Sequence, residues 1–370
     1  MHRVTRVRNN RQSPQAKHRV PMRKPKAIDG NLPPKDLFFK RLVPLFTPKN
    51  AGGCMIYNPG TATYQGKQLI FPRITQGEDY PAYPNHYFQS WITMATIKDG
   101  IQYEGDLTPI TKLKPNKQYP YGFEDVRVTA PGRDYLMVAT GFDGKWPHIT
   151  LCTTKDFLIF NFMGEIGPRD VPDKDAFFHP ELVTVNGGQK FMLYHRVHPN
   201  IQYVLIDKID DLLGATGEKF WKKELYTLDK HTLLKSHKGT WENHIGGGAP
   251  PVKTPFGWLF IYHASGVDGV YRGGLAMLDL NKPWKVIAKS PVPILEPTLK
   301  HETTGAVKNV VFPQGVHLLN EDSLDPTLVL YYGGADAHTC IAEASLNDLI
   351  RYIRQFDSDG KLVAKNNYFF

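Results

Sequence analysis

The sequence predicts an all-β protein: a five-bladed β-propeller with a basic N-terminal arm and a short C-terminal helix. Two observations lead to this prediction. The 370 residues include 29 Pro, 32 Gly and 12% aromatic side chains, which is typical of a folded chain with many turns. In addition, a unit made of a polar residue, a turn and a strongly apolar strand recurs along the chain. A period above ~50 residues suits a propeller blade of about four strands.

The repeated units share a polar-to-apolar step followed by an aromatic strand, and they begin at Asn58, Glu124, His179, Ala249 and Phe312. These starts are 66, 55, 70 and 63 residues apart. Between them, further strands are predicted at residues 90–95, 148–153 and 274–279, because turn residues bound each stretch. A pair of β-sandwiches is the alternative. The hairpin signature recurs at every period and therefore favours blades.

The two ends of the chain differ from the repeats. Residues 1–35 have no apolar core and are predicted to form the basic arm, whereas residues 36–370 are predicted to form a single propeller domain. Near the C-terminus, apolar residues recur with helical spacing at Leu346, Leu349, Ile350 and Ile353. Ser345 and Asp348 stand at capping-box spacing, so a short helix is predicted to start here and to pack on the propeller.

The formal charge of +9 resides in the first 26 residues. They contain no acidic residue and nine basic ones: Arg3, Arg6, Arg8, Arg11, Lys17, Arg19, Arg23, Lys24 and Lys26. Removing these nine from the 45 Lys and Arg of the chain leaves 36, which equals the 36 Asp and Glu. The body carries no net charge, so nucleic acid is not predicted as a partner. The arm is open to three interpretations: a solvated extension, a targeting peptide or a polyanion-binding segment.

Several other classes of protein are disfavoured. The sequence has no apolar core of a secretory signal and no stretch near the ~18 apolar residues of a membrane span, so no membrane partner is predicted. Cys54, Cys152 and Cys340 are widely separated and give neither a disulfide framework nor a metal-ligand spacing. Together with the absence of an N-x-S/T acceptor, these features favour a cytoplasmic location. No cofactor is predicted, and a homo-oligomer is left open.

The openings of the predicted blades are rich in polar residues. The inner strands of a propeller line its axis, so such residues converge although they are distant in sequence. The openings carry Asn58, Arg73, Glu124, Asp125, Arg127, Lys174, Asp175, His195, Arg196, His244, His263 and Asp336. A carboxylate among several cations and amides is what a site for a polar sugar and an anion needs, because each fixed charge must be matched.

Taken singly, these residues also have simpler interpretations. Asp125 can cap a turn, and His263, at the end of a strand, can be a core histidine. The run Gly246–Gly248 lacks the strand–loop–helix context of a nucleotide loop and is interpreted as a tight backbone passage. Trp258 and Tyr271 suit a core as well as a sugar-stacking surface. The combination of groups, rather than any one of them, indicates a site.

Motifs in a fixed order carry a family resemblance. They are EDVR at Glu124, KDAFFHPE at Lys174, MLYHR at Met192, IGGGAPPVKTPFGWLFIYH at Ile245, VVFPQG at Val310 and YYGGAD at Tyr331. From Leu42 to Ala342 the chain resembles glycoside hydrolase family 130, the five-bladed β-mannoside phosphorylases. It is also similar to the related protozoan mannosyltransferase/phosphorylases of glycosyltransferase family 108, in which a basic N-terminal arm would fit.

The resemblance implies an inverting enzyme with Asp125 as general acid. This group would protonate the glycosidic oxygen through the 3-hydroxyl of the bound mannose. Inorganic phosphate, as co-substrate, would attack the anomeric carbon from the other face, so that a β-1,2-mannoside would give α-mannose 1-phosphate. The reverse reaction would extend a mannan. An inverting hydrolase would instead need a base that activates water, roughly 6.5–9.5 Å from the acid.

The resemblance also implies roles for the other residues. Those expected to bind the sugar substrate are Asn58, Arg73, Glu124, Arg127, Asp175 and Asp336. Those expected to bind phosphate are Lys174, Arg196, His244, His263 and Tyr271, and the cations among them are expected to offset its charge. His244 stands where many relatives have lysine, so one phosphate cation would become titratable near neutrality, since the unperturbed pKa of a histidine is about 6.5. Val126 and Val197 replace motif prolines.

Three other functions are weighed against phosphorolysis. A transferase would take mannose from a nucleotide donor on the same site, and a hydrolase would release mannose without phosphate. A carbohydrate-binding propeller without catalysis is the third. It is disfavoured because such a module has no use for Asp125 together with a set of phosphate ligands.

Overall fold

The computed structural model describes residues 38–76 and 88–363, and the predicted arm at residues 1–35 lies outside them. The described residues form five antiparallel sheets. The inner strands of neighbouring sheets contact one another around a common axis. The prediction of an all-β, five-bladed propeller is therefore confirmed. That residues 36–370 form a single domain stays a prediction.

In each blade four strands follow one another from the axis outward, and blades 3 and 4 have one further short strand each. Blade 5 takes its outer strand from the start of the described chain. Blade 1 consists of β2 (Met55–Tyr64), β3 (Lys67–Thr75), β4 (Ser90–Lys98) and β5 (Gln102–Pro109), and blade 2 consists of β6 (Phe123–Thr129), β7 (Tyr135–Phe142), β8 (Pro147–Thr154) and β9 (Phe160–Glu165). Blade 3 consists of β10 (Asp173–Phe178), β11 (Val183–Val185), β12 (Gly188–Val197), β13 (Ile201–Ile206) and β14 (Thr232–Leu234), and blade 4 consists of β15 (His244–Gly247), β16 (Val252–Thr254), β17 (Gly257–Ser265), β18 (Tyr271–Leu278) and β19 (Val286–Lys289). Blade 5 consists of β20 (Val311–Leu319), β21 (Thr327–Gly334), β22 (His338–Ser345) and, as its outer strand, β1 (Lys40–Arg41). The short strands β11 and β16 pair with β12 and β17 beside the main path.

The predicted strands after the first hairpins are confirmed as β4, β8 and β18, the third strands of blades 1, 2 and 4. The third and fourth repeat units, however, begin just after the inner strands β10 and β15 rather than inside them. β15 has the sequence His-Ile-Gly-Gly and therefore gives no strand pattern of its own. The repeat reflects the second strand of each blade, which is long and apolar.

The core lies between the blades. Five apolar clusters are sandwiched between successive sheets. Side chains alternate between the two clusters that flank a strand: Phe177 packs toward blade 4, whereas Phe178 packs toward blade 2. Both faces of the inner and middle strands are thus buried, which explains why these strands are apolar at successive positions.

Three α-helices lie outside the sheets: α1 (Gly214–Leu225), α2 (Lys300–Thr303) and α3 (Leu346–Ile353). The predicted C-terminal helix is confirmed as α3, and the Ser345 hydroxyl caps it by accepting a hydrogen bond from Asp348 N at 3.0 Å. Helix α1 was not predicted, because only Gly217 and Trp221 are buried in it and no apolar stripe marks it. Single 3-10 turns occur at Pro48–Ala51, Ile209–Leu212 and Leu228–His231. No helix in the described ranges is long and apolar enough to cross a membrane.

Strand β1 closes the ring, because it pairs with β22 as the outer strand of blade 5. The side chain of Arg41 also holds this strand in place. Its Nε donates to the completely buried Glu302 at 2.8 Å, and its Nη2 donates to the carbonyl oxygen of Glu296 at 2.5 Å. Glu302 also accepts from the Tyr332 hydroxyl at 2.7 Å. The two ends of the propeller are therefore joined by a buried ion pair as well as by backbone pairing.

We expect Arg41→Met to lower the free energy of unfolding by about 3–5 kcal/mol, because it leaves the Glu302 carboxylate buried without its cation. Denaturant unfolding measures this change. The control is Lys40→Met on the same strand, whose ion pair with Glu343 is long, at 3.9 Å, and whose side chain is 77% exposed; it should cost less than about 1 kcal/mol. Equal losses for both variants would contradict the role of Arg41.

Candidate active site

Three polar residues occupy equivalent places on consecutive inner strands. Asn58, Asp125 and Asp175 have φ angles of 45°, 52° and 58°. Each lies where the pairing of its strand shifts register. A β-bulge of this kind redirects a side chain out of the regular alternation. Asn and Asp tolerate the left-handed conformation better than most other residues with a Cβ atom, which accounts for these residue types here.

These bulges lie at one end of the propeller axis, beside a cavity of about 210 Å³. All five blades contribute to its lining. Of the twelve predicted site residues, ten line the cavity: Asn58, Arg73, Glu124, Asp125, Lys174, Arg196, His244, His263, Tyr271 and Asp336. The structure therefore brings together groups from distant parts of the sequence, and it does so with carboxylates on one wall and cations on another.

Asp125 is the central group of the carboxylate wall, and it is 6% exposed. Its Oδ1 accepts hydrogen bonds from Asn58 Nδ2 at 3.1 Å and from Arg73 Nη1 at 3.4 Å. Its Oδ2 accepts none from the described residues. Because both donors occupy Oδ1, the oxygen that can carry a proton is Oδ2.

Arg73 orders the same wall. Its Nη2 donates to Glu124 Oε1 at 2.9 Å, and its Nε donates to the hydroxyls of Thr75 and Ser90 at 3.1 and 3.0 Å. Burial works against the charge of Arg73, but the surrounding groups, Glu124 first and then Tyr57, Asp125 and Asp336, together outweigh it and raise the pKa of the guanidinium above its ordinary value. Arg73 is thus a permanent cation whose orientation is fixed on every nitrogen.

Asp336 is the third carboxylate of the cavity and lies in the turn between β21 and β22. It makes no hydrogen bond with the residues that the structure describes. Burial raises its pKa to about 6, against the opposing charge of Arg73, and the nearby Asp125 raises it further. Near neutral pH this group can therefore either donate or accept a hydrogen bond to a polar ligand.

Lys174 and Arg196 lead the cationic wall. The Lys174 ammonium makes no hydrogen bond or ion pair within the described ranges, so its charge is available to a ligand. Arg196 Nε donates to Asp175 Oδ2 at 2.9 Å, and its Nη1 lies 3.2 Å from His198 Nδ1. Arginine only donates, so His198 accepts on Nδ1 and its remaining ring proton is on Nε2. Burial, and then the charge of Arg196, lower the pKa of His198.

The histidines of this wall differ in character. His198 and His244 face each other with ring centres 4.4 Å apart at the mouth of the cavity. His263 lies deeper and stacks on Phe312 at 4.1 Å. Burial lowers the pKa of His263 to about 3, although Asp175 opposes the shift. That His263 binds phosphate stays a prediction, and with this pKa its imidazole would offer the anion a hydrogen bond rather than a charge.

Arg127 and Asp175, two of the residues expected to contact substrate, lie beneath the cavity and do not line it. Both are 1% exposed, and Arg127 Nη2 is 3.7 Å from Asp175 Oδ1. Arg127 donates to the carbonyl oxygens of Gly248, Asp125 and Gly247 at 2.8, 3.0 and 2.5 Å. The backbone of Gly246–Gly248 approaches closely: a methyl group on Gly246 would be 2.5 Å from Asp175 Oδ2. This confirms the tight passage that the sequence predicted.

Burial opposes ionisation of Asp175, but the permanent cations around it, led by Arg196, outweigh it and hold the pKa of this carboxyl group well below its usual range. His195, another residue of the predicted openings, is also completely buried, and its Nδ1 lies 2.7 Å from Asp173 Oδ2. Asp175 thus supports Arg196 directly, and His195 does so through Asp173, whose Oδ1 accepts from Arg196 N at 2.9 Å; neither residue is part of the cavity surface.

Sequence reasoning missed several residues of the lining: His198, Ile245, Ser265, Val307, Val310 and Phe312. Of these residues, only His198 could have been predicted from the sequence, because it is a titratable residue two positions after Arg196. The apolar residues of this group form a third wall of the cavity, and no pattern of charged residues in the sequence predicts it. In residues 38–76 and 88–363, no group of three His, Cys, Asp or Glu could hold a metal ion.

Comparisons with known proteins agree with this arrangement. The family model described as β-1,4-mannooligosaccharide phosphorylase matches residues 34–355. A 1,2-β-oligomannan phosphorylase of Thermoanaerobacter sp. is 35% identical over 259 residues, which are 69% of this chain and 78% of that protein. A β-1,2-mannobiose phosphorylase of the same strain is 37% identical over 257 residues, 69% of this chain and 77% of that protein. The structure of the β-1,2-mannobiose phosphorylase of Listeria innocua in complex with β-1,2-mannobiose superposes with a TM-score of 0.68 and 25% identity, covering 86% of this chain and 99% of that one.

Proposed function

The chain belongs to glycoside hydrolase family 130, and from this premise we propose that it catalyses the phosphorolysis of β-1,2-linked mannosides to α-mannose 1-phosphate, and the reverse synthesis. The observation that carries the proposal is the distribution of charged groups between two walls of the cavity. An acid with a free oxygen lies on one wall, whereas Lys174 and Arg196 on the other wall pair with no carboxylate of the cavity lining, and the carboxylate that pairs with Arg196, Asp175, lies beneath the cavity.

Asp125 is the proposed general acid. The bond between the anomeric carbon and the glycosidic oxygen breaks, and the departing oxygen receives the proton from Asp125 Oδ2, relayed through the 3-hydroxyl of the mannose as the family resemblance implies. The hydrogen bonds from Asn58 and Arg73 to Oδ1 hold the carboxyl group in place and stabilise the carboxylate that remains.

Phosphate is the proposed nucleophile, bound by Lys174, Arg196 and the neighbouring histidines. One phosphate oxygen forms the new bond to the anomeric carbon from the face opposite the departing oxygen, which inverts the configuration. Lys174 carries an unpaired charge, and the Arg196 Nη2 has no partner within the described ranges. These cations offset the charge of the bound phosphate and the charge that develops in the transition state.

The sugar is held by Asn58, Arg73, Glu124 and Asp336 in this proposal. Arg127 and Asp175 act differently from the sequence-based expectation. Because they lie beneath the cavity, we assign them to positioning: Arg127 holds the backbone at Asp125, and Asp175 orients Arg196.

Hydrolysis is the less supported alternative, because an inverting hydrolase needs a second carboxylate to activate water. Among the described residues, the carboxylates that line the cavity are Glu124, Asp125 and Asp336, and Glu124 is engaged by Arg73. None of the three pairs with Lys174 or Arg196 within the described residues. A mannosyltransferase that uses a nucleotide-mannose donor would also need room for a base and a ribose, and no observation favours it.

The test is to incubate the purified protein with β-1,2-mannobiose, with and without inorganic phosphate, and to measure mannose and mannose 1-phosphate. We expect mannose 1-phosphate only when phosphate is present. Mannose formed at the same rate without phosphate would make the protein a hydrolase. Product obtained from nucleotide-mannose, but not from mannose 1-phosphate, would make it a transferase. A cytoplasmic location is part of the proposal, because mannose 1-phosphate is useful to a cell only if it is retained there.

One variant tests the role of Lys174 separately. We expect Lys174→Met to raise the KM for phosphate by more than about tenfold, while thermal stability and the KM for mannobiose change little, because Lys174 has no hydrogen-bond or ion-pair partner among residues 38–76 and 88–363 that would be left behind. The control is Lys253→Met: this lysine is paired with Glu181 at 2.7 Å, far from the cavity lining. An unchanged KM for phosphate in the Lys174 variant would remove this residue from the phosphate site.

A further inference from the structure

Gln314 lies on the inner strand β20 of blade 5 and is completely buried. Its side-chain amide reaches across the propeller axis to two other blades. Nε2 donates to the carbonyl oxygen of Asn58 at 2.7 Å and to that of Val126 at 3.0 Å. Both hydrogens of one amide group are therefore used to join the backbone of blade 1 to the backbone of blade 2.

The two carbonyl groups belong to the bulges that present the reacting side chains. Asn58 is itself left-handed, and Val126 directly follows the left-handed Asp125. Such backbone conformations persist only where the surroundings hold them. The bond from Asn58 Nδ2 to Asp125 Oδ1, at 3.1 Å, joins the same two bulges on the cavity side. The Gln314 amide is the second link between them, from the side of the axis.

The packing leaves little freedom for another arrangement. A methyl group on Gly60 would be 2.3 Å from the carbonyl oxygen of Val126, and one on Gly315 would be 2.6 Å from the carbonyl oxygen of Pro59. The inner strands of blades 1, 2 and 5 thus meet through their backbones at this level. Gln314 Oε1 is buried there without a hydrogen-bond partner. The position therefore uses the donor half of the amide and not its acceptor half.

We propose that Gln314 is a positioning residue for the general acid: its amide fixes the bulges at Asn58 and Asp125, and thereby sets the distance between the acid and the sugar-binding amide. This inference rests on the proposed function. An apolar side chain of similar length would leave two buried carbonyl groups without donors, and a glutamate would place a carboxylate against them.

The experiment compares Gln314→Met and Gln314→Glu with the wild-type protein. We expect kcat for cleavage of β-1,2-mannobiose to fall about 10- to 100-fold, because a small displacement of the acid is costly to the chemical step. The KM for phosphate should stay nearly constant, since Lys174 and Arg196 lie on blade 3. Gln314→Glu keeps the shape of the side chain and serves as the second variant where Gln314→Met folds poorly.

His317 on the same strand provides the matched control. It is 5% exposed and its Nε2 donates to the carbonyl oxygen of Leu69 in blade 1 at 3.2 Å, away from the cavity. We expect His317→Met to lower the melting temperature as Gln314→Met does, but to leave kcat unchanged. Equal kcat values for the two variants would overturn the positioning role.

Total cleavage is followed as mannose plus mannose 1-phosphate, so the comparison does not depend on which nucleophile acts. Release of mannose without phosphate would refute the proposed function. The ratio of the variant rate to the wild-type rate would still test the positioning role of Gln314. Crystal structures of the same proteins test the inference independently of enzyme activity. Loss of the Asn58–Asp125 hydrogen bond in Gln314→Met would support the inference, and its retention in unchanged geometry would overturn it.

Discussion

Asp125→Asn is expected to lower kcat for mannobiose phosphorolysis by about a hundredfold to ten-thousandfold, the range that a general acid contributes. An asparagine can still accept from Asn58 Nδ2 and Arg73 Nη1 through its oxygen, so the wall should keep its geometry. What is lost is the proton on the second atom. Mannobiose binding, measured by calorimetry, should therefore be largely retained, which separates loss of chemistry from loss of the site.

A substrate with an activated leaving group provides the sharper control for this variant. Dinitrophenolate leaves without protonation, so dinitrophenyl β-mannoside should be cleaved by Asp125→Asn at a rate much closer to that of the wild type. Glu124→Gln is the matched variant next to it, because it removes a carboxylate that pairs with Arg73 at 2.9 Å and that is assigned to sugar binding rather than to proton donation. If the activated substrate suffered the same loss as mannobiose, Asp125 would not be the acid.

The fold could be predicted because its signal is local. Each blade contains a long second strand with buried positions on both faces, and such strands stand out in sequence as apolar aromatic runs after a turn. The short inner strands carry no such signal, which is why the third and fourth units were placed after β10 and β15. Helix α1 escaped for the same reason, since Trp221 alone anchors it through a hydrogen bond to the carbonyl oxygen of Ile166 at 2.8 Å.

Which residues belong to the site could also be predicted. Which of them line the cavity and which lie beneath it could not. Residue type and motif order identified ten groups that line one cavity. Which of the polar groups face a ligand depends on neighbours contributed by other blades. Arg127 of blade 2 is buried because the carbonyl groups of Gly247 and Gly248 in blade 4 receive it. The neutral state of His263 likewise results from burial, which a single strand does not reveal.

This layering suggests how the two walls are kept apart. Positive charge is fixed on the phosphate side by a buried carboxylate, Asp175, which is paired with Arg196 at 2.9 Å and approached by His263 at 3.5 Å. On the acid side, Arg73 is held between Glu124 and Asp125. Each wall therefore carries its own counter-charge.

Arg196→Ala is expected to raise the KM for phosphate by about a hundredfold or more, with a much smaller effect on the KM for mannobiose, because the group acts on the anion and not on the sugar. Steady-state kinetics with each substrate varied in turn measures the two constants. Arg73→Ala on the opposite wall is the matched control, and it should impair the sugar side far more than the phosphate side. Equal effects of Arg196→Ala on both constants would contradict a phosphate role.

Stability must be separated from binding in this experiment, because Arg196→Ala also leaves Asp175 buried without its nearest cation. Breaking such a pair typically costs about 3–5 kcal/mol. The double variant Asp175→Asn with Arg196→Ala removes both charges of this pair. It should recover only part of the lost unfolding free energy, because the buried Arg127, 3.7 Å from Asp175, then loses its own counter-charge, and it should not recover phosphate affinity. If the double variant regained the wild-type KM for phosphate, the defect of Arg196→Ala would come from the unpaired carboxylate, and Arg196 would be a structural partner of Asp175 rather than a phosphate ligand.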